Sequence, residues 1–231
     1  PLRPILLGGD DLTFVCEGRI AFSLAETILK TFAGSKIPHL GKIGACAGVA
    51  LTRVHEPIVR AYTLAEELCR HAKARLREDN RTDECALDWH IGLPRPGESV
   101  VNMRLKNYRA GNSRLTCRPY RFGSGDEVEI WQWFTGTLLN GGDAGLRNAV
   151  WAVRRNKVKE FQQLVREGPD AVRRALESWK VVEPSLRLPE PIRKNGFIAD
   201  RTPLLDAVEI MDLHLVLEQG REPHGHKEAG E

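Results

Sequence analysis

Residues 4–16 read Pro-Ile-Leu-Leu-Gly-Gly-Asp-Asp-Leu-Thr-Phe-Val-Cys. Two β-rich apolar runs, Ile5-Leu6-Leu7 and Leu12-Thr13-Phe14-Val15, flank a Gly8-Gly9-Asp10-Asp11 centre. Glycine supplies the positive φ that tight hairpins need, and aspartate tolerates turn conformations. The pattern therefore predicts a β-hairpin whose tip carries Asp10 and Asp11. The apolar flanks matter because they hold the acidic pair on an ordered element rather than in a loose loop.

Downstream, Ile20, Leu24, Ile28 and Phe32 recur every four residues, which predicts a helix over 20–33 ended by Gly34. Residues 43–54 are small and apolar and predict a buried strand in close contact with a neighbour. Residues 56–78 predict a long helix, with Pro57 in its first turn and an apolar stripe from Ile58 to Leu76. Residues 79–83 predict a loop, 85–93 a strand, 94–113 a polar loop or insertion, and 114–121 a strand. The order up to residue 93 is β-β-α-β-α-β. The chain then changes character: 127–139, 143–167 and 169–180 have helical periodicity, 184–201 is Pro-rich and irregular, and 203–217 predicts a last helix. The polar residues 220–231 are expected to be disordered.

Composition bounds the class. The chain has 231 residues, 42% apolar and 28% charged, which is ordinary globular usage. The balance 34 − 31 = +3 is too even to demand a nucleic-acid partner. No run of about 18 apolar residues predicts a membrane span. The chain opens on Pro1, with neither a signal peptide nor a transit peptide, and reads as cut from something longer. Cys16, Cys46, Cys69, Cys85 and Cys117 are odd in number and widely spaced, so free thiols in a reducing cytoplasm are expected rather than a zinc site or a disulfide framework.

The adjacent carboxylates of Asp10 and Asp11 are hard oxygen ligands suited to Mg²⁺ or Mn²⁺. Gly8 and Gly9 lack side chains, so a nucleotide could approach the backbone closely. A metal held there can neutralise a triphosphate and activate an attacking hydroxyl. The competing reading is a plain hairpin turn. On the long helix, Lys73 beside Ala72 could reach a phosphate as a compact charge, against the default of a solvated basic face. Weaker candidates each have a stronger structural reading. Asp88 and His90 share a strand face and could bind metal, but suit an edge or solvent-facing pair better. Arg104, Lys106, Arg109 and Arg114, interleaved with Tyr108, could track a nucleotide backbone but suit a solvated loop. Arg118 could lie near phosphates or simply pack at a strand end. Arg147, Arg154, Arg155, Lys157 and Lys159 suit a solvated helix face, Trp131, Trp133 and Trp151 suit the core, and Asp143 after Gly141-Gly142 suits a helix N-cap. His224 and His226 form an incidental His-x-His pair.

The Gly-Gly-Asp-Asp hairpin, the helix after it, the Ala47-Gly48-Val49-Ala50 strand and the Ala65-Glu66-x-Leu68-x-x-x-Ala72-Lys73 helix occur in one order. That order resembles the GGDEF and polymerase-palm nucleotide cyclases. It looks most like the second palm domain of the large subunit of type III CRISPR effector complexes, whose motif is Gly-Gly-Asp-Asp. The resemblance covers roughly residues 3–93 and extends toward the strand that ends at Tyr120. It implies an α+β fold: a ferredoxin-like palm (1–122) lacking its first strand, followed by a small helical domain (123–231). It also implies an ATP-binding, metal-dependent nucleotidyltransferase that makes cyclic oligonucleotide signals in antiviral defence. Asp10 and Asp11 would be the catalytic metal ligands, Gly8 and Gly9 the glycines that admit nucleotide, and Lys73 the lysine on the triphosphate. The cofactor would be Mg²⁺ or Mn²⁺. The partners would be ATP or a related triphosphate, RNA and other effector subunits, in a dimer or larger complex. The palm's first strand carries a further metal-binding acid and is expected in a preceding segment or a partner chain. Without it, a non-catalytic palm serving as scaffold or nucleotide sensor in a ribonucleoprotein is the second reading.

Overall fold

The computed structural model describes residues 2–39, 41–123 and 127–215. Strand β1 (Leu2–Gly8) pairs antiparallel with β2 (Asp11–Cys16), and the ladder closes on Gly8 opposite Asp11. Gly9 and Asp10 are thus the two turn residues. Gly9 takes φ 61°, the left-handed value at which a side chain would be strained. Helix α1 (Gly18–Gly34) follows and buries Phe22, Ala25 and Leu29, spaced at i, i+3 and i+7.

A two-residue ladder, β3 (Lys36–Ile37) with β4 (Gly41–Lys42), leads into β5 (Cys46–Leu51). Helix α2 (Ile58–Glu78) then crosses over to β6 (Cys85–Ile91), which pairs parallel with β5. The small residues predicted for this strand have a steric reason. A Cβ on Gly48 would lie 2.1 Å from the Ala65 carbonyl oxygen, so α2 sits on β5 at a distance only glycine permits. Strand β6 is buried from Cys85 to His90, as a central strand covered on both faces should be.

Residues 94–113 differ from the expected loop. Helix α3 (Val100–Asn107) lies inside them, capped by Ser99, whose Oγ accepts from the Asn102 N–H at 3.2 Å. Val100 and Met103 bury its inner side against Leu64 and Leu68. An eight-residue helix between Pro, Gly and charged residues has too few turns to show a period, so tertiary packing decides it. Two short strands, β7 (Arg109–Ala110) and β8 (Ser113–Arg114), follow. Strand β9 (Tyr120–Phe122) is shorter than the predicted 114–121 and pairs antiparallel with β6, giving the sheet order β5-β6-β9.

The remainder is helical. Helix α4 (Trp131–Trp133) runs into a π-helical turn (Phe134–Leu139), and a 3₁₀ turn (Gly142–Ala144) precedes α5 (Ala149–Ala152). The continuous helix expected over 143–167 is interrupted here, and Asp143 caps nothing; Asn148 is the N-cap of α5. The reason is backbone-on-backbone packing: a Cβ on Gly145 would lie 2.5 Å from the Gly141 nitrogen. Helices α6 (Arg155–Glu167) and α7 (Pro169–Val182) meet at Gly168, which takes φ 102°. Helix α8 (Leu204–Ile210) is shorter than the predicted 203–217.

The result is a mixed α+β fold with one small mixed sheet. A single hydrophobic cluster runs from Phe22 of α1 to Met211, so sheet and C-terminal helices share one core. Trp89 lies within it, with ring centroids 5.5 Å from Phe22, 5.4 Å from Tyr120 and 6.0 Å from Trp131. Trp131, Trp133 and Trp151 are buried core aromatics. Among the described residues no helix is long and apolar enough to cross a membrane. The expected disordered tail at 220–231, with His224 and His226, lies outside the described residues.

Candidate functional site

Asp10 and Asp11 project from an element that the core does not cover. All seven residues of β1 are exposed, including Leu2, Ile5, Leu6 and Leu7, and Leu12 and Val15 are exposed on β2. The hairpin forms a two-stranded sheet of its own, separate from β5-β6-β9. Asp10 and Asp11 are both exposed and form no ion pair among the described residues. A Cβ on Gly8 or Gly9 would meet nothing within 4 Å, so space above the tip is open to a ligand.

Helix α2 supplies the other half of the site. Tyr62, Glu66, Cys69 and Lys73 fall at i, i+4, i+7 and i+11, one face of the helix. The charge of Asp11 is felt on this face. The hydrogen bond to Glu66 raises the Tyr62 hydroxyl above its usual range, and the Asp11 charge raises it further. The Cys69 thiol is raised first by burial; Lys73 pulls it down while Asp11 pushes it up. The acid from the hairpin and the lysine from the long helix thus act with opposite sign on one thiol. Cys69 itself donates to the Cys46 carbonyl at 3.2 Å, pinning this face to β5. Burial above all pushes the Cys46 thiol up to about 12, which leaves it protonated and unreactive at neutral pH.

Of the other charged residues singled out from the sequence, Asp88, His90, Arg104 and Arg118 turn inward, whereas Lys106 and Arg109 stay exposed and Arg114 pairs with Asp200 at 3.2 Å. Asp88 is fully buried. Its oxygens take two bonds from Arg104, at 2.6 and 2.8 Å, one contact with His71 Nδ1 at 2.7 Å, and the Trp89 N–H at 2.8 Å. Burial alone would raise this carboxyl, but Arg104 and His71 hold it well below the usual carboxylate range. His90 on the same strand face is pushed down to about 4, first by burial and then by Arg118. With Asp88 saturated by Arg104, the pair is a structural knot and not a metal site. Arg118 is likewise enclosed. Its guanidinium lies 4.7 Å from the Trp89 ring centroid and 5.0 Å from that of Tyr108, and pairs with Asp206 at 2.9 Å and Glu209 at 3.0 Å.

These two networks join α2, β6, α3 and α8, and sequence reading missed them. The available signal was a period of two: Asp88 and His90 interrupt an otherwise apolar central strand on one face, and a buried charge demands a partner. Arg104 and Tyr108 therefore belong to the interior and not to a solvent-facing track. Among the described residues no group of three or more His, Cys, Asp or Glu is arranged to hold a metal ion. No protein-family model matches the chain, and no curated protein matches it.

Proposed function

We propose that the hairpin tip and the Lys73 face of α2 form the nucleotide site of a metal-dependent nucleotidyltransferase of the CRISPR-associated palm type, converting ATP or a related triphosphate to a cyclic oligonucleotide signal. The observation that carries this reading is the Gly8-Gly9-Asp10-Asp11 turn itself, which leaves both carboxylates exposed at an uncovered hairpin tip, with the exposed Lys73 on the long helix that follows. An acidic pair beside a lysine is the charge pattern a metal–triphosphate complex requires.

The residues fit a magnesium ion. Mg²⁺ is commonly held by one or two carboxylates, with waters and substrate phosphates completing its shell. Asp10 and Asp11 are exposed and unpaired among the described residues, and so are available for that purpose. When bound, Mg²⁺ or Mn²⁺ would neutralise the triphosphate and acidify the attacking 3′-hydroxyl. Gly8 and Gly9 leave the space through which the nucleotide reaches the tip. Lys73 steadies the phosphates as a point charge. The protein would work in a dimer or larger effector complex with RNA.

A second reading, a non-catalytic palm acting as scaffold or nucleotide sensor, is favoured by the hairpin itself. Neither of its outer edges is paired among the described residues, so none of the described strands brings a further acid to the tip. Incubation of the protein with labelled ATP and Mg²⁺ or Mn²⁺ separates the two. The enzyme reading expects a phosphodiester product that Asp10→Ala with Asp11→Ala abolishes. Product formation unchanged in that variant would sink it, and ATP binding without turnover in the wild type would favour the sensor.

A further inference from the structure

We infer that the C-terminal helical region carries a second, independent binding site: a basic groove between α7 and the 184–194 segment that takes the phosphodiester backbone of a single-stranded nucleic acid. Two adjoining depressions, of about 270 and 370 Å³, share Lys180 and Arg193 in their walls. Arg187 lines the first, and Arg173 and Lys194 line the second. Against these five cations stand Asp143, Glu177 and Glu190, so the groove carries 5 − 3 = +2.

Arg173 is paired with Glu177 at 3.2 Å and Asp170 at 3.3 Å, whereas the other ion pairs of the groove are looser. Arg187 lies 3.5 Å from Asp143 and Arg193 lies 3.6 Å from Glu190, both pairs being well exposed. Such pairs contribute little and are easily exchanged for a phosphate. Lys180 and Lys194 make no ion pair among the described residues.

The groove is also pre-built, although its second wall is irregular chain. Leu186, Leu188 and Ile192 are buried in the main core and alternate with the exposed Arg187 and Arg193. The Trp151 indole donates to the Arg187 carbonyl at 3.0 Å, and the Gly196 N–H bonds to the Ile192 carbonyl at 2.8 Å. The backbone that carries Arg187 and Arg193 is therefore in place before any ligand arrives, which reduces the ordering cost of binding.

The chemistry of the walls selects the ligand. Two adjoining basic depressions suit successive phosphates of a flexible chain better than one compact anion, and a concave surface suits a single strand better than a duplex. The nearby aromatics Trp151 and Trp179 are both buried, Trp179 with the Lys157 ammonium 4.5 Å from its ring centroid, and so offer no stacking platform. Recognition is therefore electrostatic and indifferent to base.

The test is fluorescence anisotropy of the full chain with labelled 20-nucleotide oligouridylate and oligothymidylate, across a salt series. Both should bind alike, with log affinity falling against log salt by about 0.7 per phosphate neutralised. Lys180→Glu with Lys194→Glu should weaken binding at least tenfold and flatten that slope, with an unchanged circular dichroism melting curve. The charge-matched control, Lys36→Glu with Lys42→Glu, should bind as the wild type does. The proposal is overturned if neither strand binds, if the groove variant binds normally, if the control loses affinity equally, or if a duplex or an acidic peptide binds better than the single strands.

Discussion

Glycine in this chain does three different jobs, and each has its own consequence for substitution. At Gly48 a Cβ would collide with the Ala65 carbonyl oxygen and the Cys69 nitrogen of α2. Backbone atoms cannot swing aside, so Gly48→Ala should cost about 1–3 kcal/mol in urea unfolding, as core overpacking does. Gly8 has open space and no positive φ, so Gly8→Ala should leave stability unchanged. Any loss of nucleotide affinity in Gly8→Ala would then report the steric approach of the ligand, measured by titration at constant fold. Gly9 differs again, because its φ of 61° strains any side chain whatever the space. Sequence alone marked all three as positions of special backbone. It could not rank them, because the decisive atoms at Gly48 come from a helix about 20 residues away.

At the scale of elements, the C-terminal segment after α8 is tied back to α1 by a buried charged contact. His214 Nε2 lies 2.6 Å from Glu26 Oε2, and Arg147 donates to the Met211 and His214 carbonyls. Burial would raise the Glu26 carboxyl, but the bonds to His214 and Lys30 hold it down, at about 2. The folded value is below the unfolded one, so the contribution to stability is present above about pH 4.5 and is lost as pH falls toward 2. Glu26→Gln should therefore lose about 1–3 kcal/mol at pH 7, and the gap from wild type should close by pH 2 in parallel urea titrations. Helical periodicity correctly marked α1, α2, α6 and α7, because each is long enough for an apolar face to repeat. It missed α3, whose existence depends on Ser99 as cap and on three buried side chains, Val100, Met103 and Arg104.

The whole molecule divides into a well-covered core and an uncovered hairpin. Strand β6 is buried on both faces, whereas every residue of β1 is exposed and both hairpin edges are open among the described residues. Two-stranded hairpins are marginal on their own. Amide hydrogen exchange should accordingly be fast across β1 and β2, and slowest along β6, where opening requires global unfolding. Strong protection of the isolated chain's hairpin would contradict this. Protection gained on adding ATP with Mg²⁺, confined to the tip and α2, would locate the nucleotide at Asp10, Asp11 and Lys73.

Much of the candidate site was legible without the structure. The Gly-Gly-Asp-Asp turn follows from the conformational freedom of glycine and its apolar flanks, and the Lys73 face follows from the helical period; both depend on neighbours within a few residues. The approach of Asp11 to Tyr62 and Cys69, the enclosure of Asp88 by Arg104 and of Arg118 by Asp206, and the groove between α7 and the 184–194 segment were decided only in three dimensions. The physical reason is the same in each case. A charge is drawn to whichever partner packing brings within a few ångströms, and distance along the chain says nothing about which partner that will be.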